Sequence, residues 1–306
     1  MDVAITGSSG LIGTALRRSL AADGHRVVRV VRKGKSTEGP TVTWDPQAGV
    51  IDGTALEGVD AVVHLAGAGI ASGRWTDEHR RRVKESRTRG TAVLSEALAC
   101  LDAKPRVLLS GSAVGYYGDR GDEELTEASE PGSGFLPEVC LAWEAATGMA
   151  EQSGIRVAHL RSGVVQSDEG GALAKQLLPY KLGLGGPAGK GDQWLSWISI
   201  DDEVGAIRFL LDHDVAGPVN LTAPAPVTNG EFAKTLGRVL HRPAVVPLPR
   251  FLTKLPAGVG DLVDSLLFTG ARVRPTVLEE AGYRFRHPGL EIALRALLGK
   301  GEERAG

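Results

Sequence analysis

The first residues that could do chemistry form a glycine turn directly after a strand candidate, Asp2–Ile5. The turn consists of Thr6, Gly7, Ser8, Ser9, Gly10, Leu11, Ile12 and Gly13. Glycines at GxxGxxG spacing, where a strand enters a helix, let backbone N–H groups approach a pyrophosphate closely. The glycine turn therefore predicts a dinucleotide-binding site at the start of the chain.

The residues at the end of the next strand candidate, Arg26–Val31, indicate which dinucleotide the site binds. NAD-preferring folds usually present Asp or Glu there, to bind the ribose hydroxyl groups. This chain instead has Arg32 and Lys33, and Arg can bind a ribose 2′-phosphate through two charge-assisted hydrogen bonds. We therefore predict that the cofactor is NADP (NADPH). The structural alternative is that both side chains simply solvate the end of a strand.

The elements that must position these residues alternate along the first half of the chain. Strand candidates are Asp2–Ile5, Arg26–Val31, Ala61–Leu65, Arg106–Ser110 and Arg156–Leu160, and helix candidates include Gly10–Ala22 and Thr76–Leu98. Strands that alternate with helices predict a parallel sheet covered on both faces. The expected fold class is α/β, a Rossmann doubly wound parallel sheet with a smaller C-terminal substrate lobe.

The sequence pattern changes after Arg161, where glycine-rich and proline-rich stretches replace short strand–helix units. We expect an NADP-binding Rossmann domain over residues 1–165, to which about 198–222 return. The substrate lobe is expected over 166–197 and 223–298, including a C-terminal helical module at about 250–298. Residues 299–306 are expected to form a frayed tail.

The amino-acid composition indicates which kinds of molecule the chain could bind. The net charge is -2, with 35 basic and 37 acidic residues, which gives no overall field for a nucleic acid or a membrane surface. A small-molecule substrate is expected, and the chain could be a monomer or a homodimer. Two cysteines, no signal peptide and no apolar run long enough for a bilayer favour a cytoplasmic protein. The seven histidines form no ligand pair, so no metal site is predicted.

Several longer motifs give a specific resemblance. TGSSGLIG, HLAGAGI, SGSAVGYYG, RWTDEHRRRVKESRTRGT and QWLSWISIDD resemble the atypical short-chain dehydrogenase/reductases of the NADP-binding "epimerase family", which are similar to nucleoside-diphosphate-sugar epimerases. The resemblance implies that Leu65, Ala66 and Gly67 line the adenosine ribose and that Asp45 lies near the adenine. It also implies that Arg161, Ser162 and Gly163 approach the nicotinamide carboxamide.

The family resemblance also directs attention to the catalytic residues. Short-chain dehydrogenases use a Tyr as acid/base, a Lys beside it and a Ser or Thr that orients the substrate oxygen. Ser112 matches the Ser position, but no YxxxK pair follows: the residues four apart are Val139 with Trp143 or Cys140 with Glu144.

A replacement acid/base must therefore be sought. Tyr116 and Tyr117 follow Ser112 closely and are the candidates, with a pocket-lining or packing role as the alternative. Glu144 and Cys140 are further candidates, though a structural carboxylate and a core thiol are the more common roles.

The glycine-rich stretch Leu182–Gly191 resembles a loop that folds over substrate. Lys190, Gln193, Trp194 and Trp197 could contact a polar ligand through hydrogen bonds and stacking, or the tryptophans could serve packing. Basic residues on the second helix candidate could receive an anionic substrate, but a solvated face explains Arg80–Arg82 better.

Two functions from different classes remain. The first is an NADP-dependent oxidoreductase or epimerase-like enzyme acting on a small polar substrate, such as a sugar nucleotide. The second is a catalytically degenerate NADP-binding sensor or regulatory protein, such as one related to cell division. The lost Tyr–Lys pair favours the second, and the polar and aromatic residues on the substrate side favour the first.

Overall fold

The computed structural model describes residues 1–34, 39–70, 75–248 and 269–300. Its largest element is an eight-stranded sheet. From one edge to the other, the strands are Gly217–Leu221, Arg156–Ser162, Val107–Ala113, Ala61–His64, Asp2–Thr6, Arg26–Arg32, Thr41–Asp45 and Val50–Ile51. All five strands predicted from the sequence belong to this sheet, and Gly217–Leu221 is the strand at one edge of it.

The sheet is mostly parallel. The first strand pairs in parallel with both neighbours, with Val3 opposite Val27 on one side and Ala61 on the other, whereas Val50–Ile51 is antiparallel to its neighbour. Ala61–His64 is buried along its whole length, as expected for a strand covered on both faces. The predicted α/β class with a Rossmann-type parallel sheet is confirmed.

Helices alternate with the strands of this sheet along much of the chain. The described helices are Leu11–Ala22, Asp77–Ala99, Phe135–Ala145, Gly148–Gln152, Gly171–Lys181, Ile200–Asp212, Asn229–Leu240, Thr276–Glu280 and Leu290–Leu297. The helix Asp77–Ala99 begins where the Thr76 hydroxyl accepts a hydrogen bond from the N–H of His79. Within the described ranges, no helix has both the length and the apolar character needed to cross a bilayer.

The chain divides into two compact units. The first unit comprises Met1–Tyr116, Ser133–Arg161 and Val204–Val219. Its core contains apolar side chains from the strands and from the helix Asp77–Ala99, including Val28, Val62, Leu94, Leu98 and Leu108. The predicted boundary near residue 165 stays a prediction.

The second unit comprises Tyr117–Gly132, Ser162–Glu203 and the chain from Asn220 onward. Its core packs the helix Asn229–Leu240 against Leu290–Leu297 and includes Trp197, Phe232 and Leu294. Much of the predicted helical module, residues 250–268, lies outside the described residues, as does the predicted tail from 301 to 306.

A buried carboxylate organises the end of the second unit. Asp202 is 1% exposed and accepts hydrogen bonds from the Ser199 and Tyr283 hydroxyl groups. It also accepts from the backbone N–H groups of Arg286 and His287 at 2.7 and 2.9 Å. Asp202 therefore binds the segment 283–287.

Candidate functional site

The glycine turn joins the strand Asp2–Thr6 to the helix Leu11–Ala22. Gly7 has a φ of +66°, and a Cβ there would lie 2.7 Å from the carbonyl carbon of Leu65. A Cβ at Gly13 would lie 2.3 Å from the carbonyl oxygen of Gly7. Both positions exclude a side chain because backbone atoms occupy the space. The start of the helix thus stays bare, as a phosphate site requires.

A buried chain of hydrogen bonds holds the neighbouring strand end in place. The Thr6 hydroxyl oxygen accepts from the N–H groups of Leu65 and Ala66 at 3.1 and 3.2 Å. Its single hydrogen is therefore donated to Nδ1 of His64, 2.7 Å away. Burial lowers the pKa of His64 to about 4, so the ring is neutral and its Nε2–H is donated to Thr91.

A cavity of about 480 Å³ opens beside the glycine turn, within the first unit. Its size falls within the roughly 300–1,000 Å³ that is typical of ligand sites. Predicted cofactor residues that line it are Gly7, Ser8, Ser9, Gly10, Arg32, Asp45, Leu65, Ala66 and Gly67. Those outside the lining are Thr6, Leu11, Ile12, Gly13, Lys33, Arg161, Ser162 and Gly163. The structure thus brings together four separate stretches of the predicted cofactor site.

One end of this cavity is built by the second and third strands. Arg32 ends its strand opposite Trp44 in the parallel register. Asp45 follows Trp44, and its Oδ1 accepts from the N–H groups of Gln47 and Ala48 at 3.0 and 3.1 Å. Such a turn is a common role for Asp. Asp45 therefore shapes the loop that forms a wall of the cavity.

The helix Asp77–Ala99 contributes cavity residues that the sequence analysis missed. They are Arg82, Glu85, Ser86 and Arg89, spaced i, i+3, i+4 and i+7 and hence on one face of the helix. This helical spacing of polar residues is the sequence feature from which these cavity residues could have been found. Arg82, which the sequence suggests as part of a solvated face, lines the cavity instead.

The predicted catalytic serine lies in a hydrogen-bonded cluster within the first unit. The Ser112 hydroxyl donates to Oε1 of Glu144 at 2.6 Å. Arg161 donates to both oxygens of the same carboxylate, from Nε and Nη2, each at 2.8 Å. The Arg161 guanidinium also lies 3.4 Å from the ring centre of Tyr116. The structure therefore brings Ser112 and Tyr116 to the same Arg–Glu pair.

The other residues at the missing Tyr and Lys positions are buried. Cys140 lies 3.7 Å from the carbonyl oxygen of Ala113, and burial together with the Glu144 charge raises its pKa to about 12. Its thiol is therefore protonated near neutral pH and is a poor nucleophile. Val139 is in the core, and the Trp143 ring packs so closely that a Cβ at Gly111 would lie 2.9 Å from it.

Tyr117, the second tyrosine candidate, belongs to the second unit and is fully buried. Its hydroxyl donates to Oδ1 of Asn220 at 2.7 Å. The Asn220 side chain donates to the carbonyl of Arg274, and its N–H donates to Glu127. These contacts are those of a packing residue, so Tyr116 is the more suitable of the two for chemistry.

Ser162 and Gly163 begin another part of the second unit. The Ser162 hydroxyl donates to Oε1 of Glu203 at 2.6 Å, and burial raises the pKa of Glu203 to about 8. Its Oε2 atom is buried with no hydrogen-bond partner among the described residues. A Cβ at Gly163 would lie 2.7 Å from the carbonyl oxygen of Ser196, so this turn also requires glycine.

The predicted substrate residues have different environments in the second unit. Trp197 is fully buried in the core and its Nε1 donates to the carbonyl of Ala225, which is a packing role. Trp194 donates to Asp122 at 2.8 Å. Gln193 donates to a backbone carbonyl, and Lys190 is exposed. Lys190, Gln193 and Trp194 remain candidates for ligand contact.

The sequence matches two family models. Residues 3–222 match the NAD dependent epimerase/dehydratase family, and residues 248–297 match a domain of unknown function, DUF1731. Epimerase family protein Mb2239 of Mycobacterium bovis is 44% identical over 293 residues, which cover 95% of this chain and 96% of the relative.

Solved structures are similar over the whole chain. Human epimerase family protein SDR39U1 (isoform 2), crystallised with NADPH, has a TM-score of 0.87 and 35% identity, covering 98% of this chain and 99% of its own. A nucleoside-diphosphate sugar epimerase from Corynebacterium glutamicum has a TM-score of 0.79 and 36% identity, covering 100% of this chain and 59% of its own. By sequence and by fold, this chain therefore belongs to the NAD dependent epimerase/dehydratase family.

Proposed function

We propose that this chain is an NADPH-dependent oxidoreductase or epimerase that acts at a carbinol carbon of a small polar substrate, such as a sugar nucleotide. The observation that carries the proposal is the cavity in which the glycine turn and Arg32 converge. The human relative supports it, since its structure contains NADPH and is 35% identical over 98% of this chain.

The cavity residues fit NADPH. Gly7 and Gly13 leave no space for a Cβ, so backbone N–H groups can approach a pyrophosphate. Ser8 accepts a hydrogen bond from Nε of Arg29 at 3.2 Å, and its own hydroxyl hydrogen can be donated to a phosphate oxygen. Arg32 suits the ribose 2′-phosphate.

The chemistry would use the cluster around Ser112. Bound NADPH supplies a hydride to a carbonyl carbon, and NADP⁺ takes one from a carbinol. Ser112 gives its hydrogen to Glu144, so its oxygen presents lone pairs to a ligand. A substrate hydroxyl other than the one that reacts can donate to these lone pairs. Tyr116, held against Arg161, is the group proposed to move the carbinol proton.

A second candidate function is an NADPH sensor without turnover. Residues 135–144 contain neither Tyr nor Lys, and the hydroxyl of Tyr117 is committed to Asn220. These observations weaken the usual dehydrogenase mechanism without affecting cofactor binding.

The test has two stages. The full chain is titrated with NADPH and NADH by nicotinamide fluorescence, and NADPH is expected to bind more tightly. NADP⁺ or NADPH is then incubated with a panel of UDP- and dTDP-sugars and their keto derivatives, and nicotinamide absorbance and sugar products are followed. Absence of NADPH binding would overturn the proposal. Tight NADPH binding with no turnover of the panel would favour the sensor.

The two functions also differ in the role of Ser112. For the enzyme, Ser112→Ala should leave the NADPH dissociation constant within about twofold of wild type and lower kcat by at least tenfold to a hundredfold, on the order of a lost orienting group. For the sensor, no kcat can be measured, and the same variant should leave the NADPH dissociation constant unchanged.

A further inference from the structure

The cofactor cavity contains more positive charge than the strands supply. Arg32 comes from the second strand, whereas Arg82 and Arg89 come from the helix Asp77–Ala99. The lining also contains the carboxylates of Asp45 and Glu85. With Arg32 alone, the lining would have a negative formal charge and would repel a dinucleotide phosphate. With Arg82 and Arg89 included, the formal charge of the cavity lining is positive.

The position of Arg89 follows from one hydrogen bond. Its Nη2 donates to the carbonyl oxygen of Gln47 at 2.9 Å. Gln47 lies in the loop that follows Trp44, and Trp44 is the register partner of Arg32. The Arg89 guanidinium and Arg32 therefore belong to the same end of the cavity. A guanidinium has five N–H donors, so one bond to a carbonyl leaves others for a ligand.

Packing keeps this part of the helix against the loop. A Cβ at Gly90 would lie 3.4 Å from the Trp44 ring and 3.8 Å from Cβ of Pro46. These are ordinary contact distances, so this part of the helix, which includes Arg89, lies directly against the loop. Arg82 lies about 10 Å earlier along the helix axis, where Nη2 contacts Nδ1 of His79. The two helix arginines are therefore not equivalent.

We infer that Arg89 is a second ligand of the ribose 2′-phosphate, acting together with Arg32, and that this helix residue helps to set the preference for NADPH over NADH. The inference rests on the proposed NADPH binding. A phosphomonoester carries between one and two negative charges near neutral pH and three acceptor oxygens. One guanidinium fork engages two of them, which leaves charge and an oxygen for a second arginine.

The experiment compares the dissociation constants of NADPH and NADH for the full chain and its variants, by nicotinamide fluorescence. Arg89→Ala should weaken NADPH binding by about tenfold to a hundredfold, the usual effect of losing a charge-assisted hydrogen bond. NADH binding should change by less than about threefold. Adenosine 2′,5′-bisphosphate, used as a competitor, should lose affinity as NADPH does. Arg89→Lys, which keeps the charge but not the fork, should fall between wild type and alanine.

Arg81→Ala is the matched control, because Arg81 is exposed on the same helix and is not among the cavity residues; it should change neither constant. If Arg89→Ala leaves NADPH affinity unchanged while wild type binds NADPH, the inference is wrong and the proposed function stands. An equal loss for NADH and NADPH would also overturn it, since Arg89 would then contact a shared part of the nucleotide. If wild type binds neither nucleotide, the proposed function itself fails.

Discussion

Ser112 and Glu144 share a hydrogen bond of 2.6 Å, and Arg161 holds the same carboxylate through two more. The serine that is assigned to orient a substrate is therefore itself oriented. Because the hydroxyl hydrogen points to Glu144, the lone pairs of Ser112 are its contribution to any ligand. The buried Arg–Glu pair fixes the polarity of the site.

This cluster predicts the effect of removing Glu144. The side chains of Arg161 and Glu144 are 4% and 12% exposed, so Glu144→Ala removes the carboxylate that faces a buried guanidinium. We expect the free energy of unfolding to fall by about 3–5 kcal/mol, measured by urea denaturation. Glu144→Gln, which can still accept from Ser112, should lose less. Glu138→Ala, an exposed position on the same helix, should stay within about 0.5 kcal/mol of wild type. A neutral result for Glu144→Ala would disprove the structural role of the pair.

Gly13→Ala tests the glycine turn. The new Cβ would lie 2.3 Å from the carbonyl oxygen of Gly7, so the turn must shift. NADPH and NADH should both bind at least about a hundredfold more weakly, because the pyrophosphate is common to both. Gly53→Ala is the control, since the nearest atom to a Cβ there is 3.9 Å away. Calorimetric titration measures both constants, and unchanged affinities in Gly13→Ala would refute a phosphate role for the turn.

The neutral state of His64 predicts sensitivity to acid. Its pKa is about 4 in the fold and near 6.5 in an unfolded chain. Between these values the unfolded state binds a proton that the folded state does not, so stability falls as pH decreases from 6.5 to 4. The loss is about 3 kcal/mol. It should disappear from the pH profile of His64→Asn but persist in His213→Asn, whose ring is exposed. Identical profiles for wild type and His64→Asn would contradict the prediction.

The raised pKa of Glu203 predicts the opposite dependence of stability on pH. Its folded pKa of about 8 exceeds the ordinary value of 4.5, so the unfolded state releases a proton that the folded state retains. Stability is therefore full below pH 4.5 and decreases as pH rises to 8. Glu203→Gln removes this dependence and should be more stable than wild type at pH 8, by up to about 4 kcal/mol. Thermal unfolding at pH 5 and 8 measures it. The exposed Glu280→Gln serves as the control, and a Glu203→Gln variant with wild-type pH dependence would exclude the effect.

Residues at the ends of parallel strands could be predicted from the sequence. The glycine turn follows a strand and Arg32 ends one, and parallel strands deliver their carboxyl ends to one edge. Leu65–Gly67 were placed by the family resemblance. The strand Thr41–Asp45 was not predicted. Only Val42 and Trp44 are buried in it, so its alternating pattern is too short to stand out.

The position of Arg89 in the cavity lining could not be predicted. It depends on the packing of the helix Asp77–Ala99 against the Trp44 loop and on the hydrogen bond from Arg89 to Gln47, which are tertiary contacts. The sequence also gave no means to separate Tyr116 from Tyr117, since neighbouring residues at the end of a strand turn to different surroundings. Similarly, Trp194 and Trp197 are the same residue type three positions apart in the sequence, but only Trp197 is in the core.

Asp202 has a consequence for how the chain can be cut or fused. Its carboxylate is satisfied by donors that lie more than eighty positions later in the chain, at Tyr283, Arg286 and His287. A truncation before residue 283 would leave that buried charge without these donors, at a cost of several kcal/mol. Truncated variants and reporter fusions should therefore preserve the chain through this segment, and a C-terminal tag is better placed after Leu297 than within it.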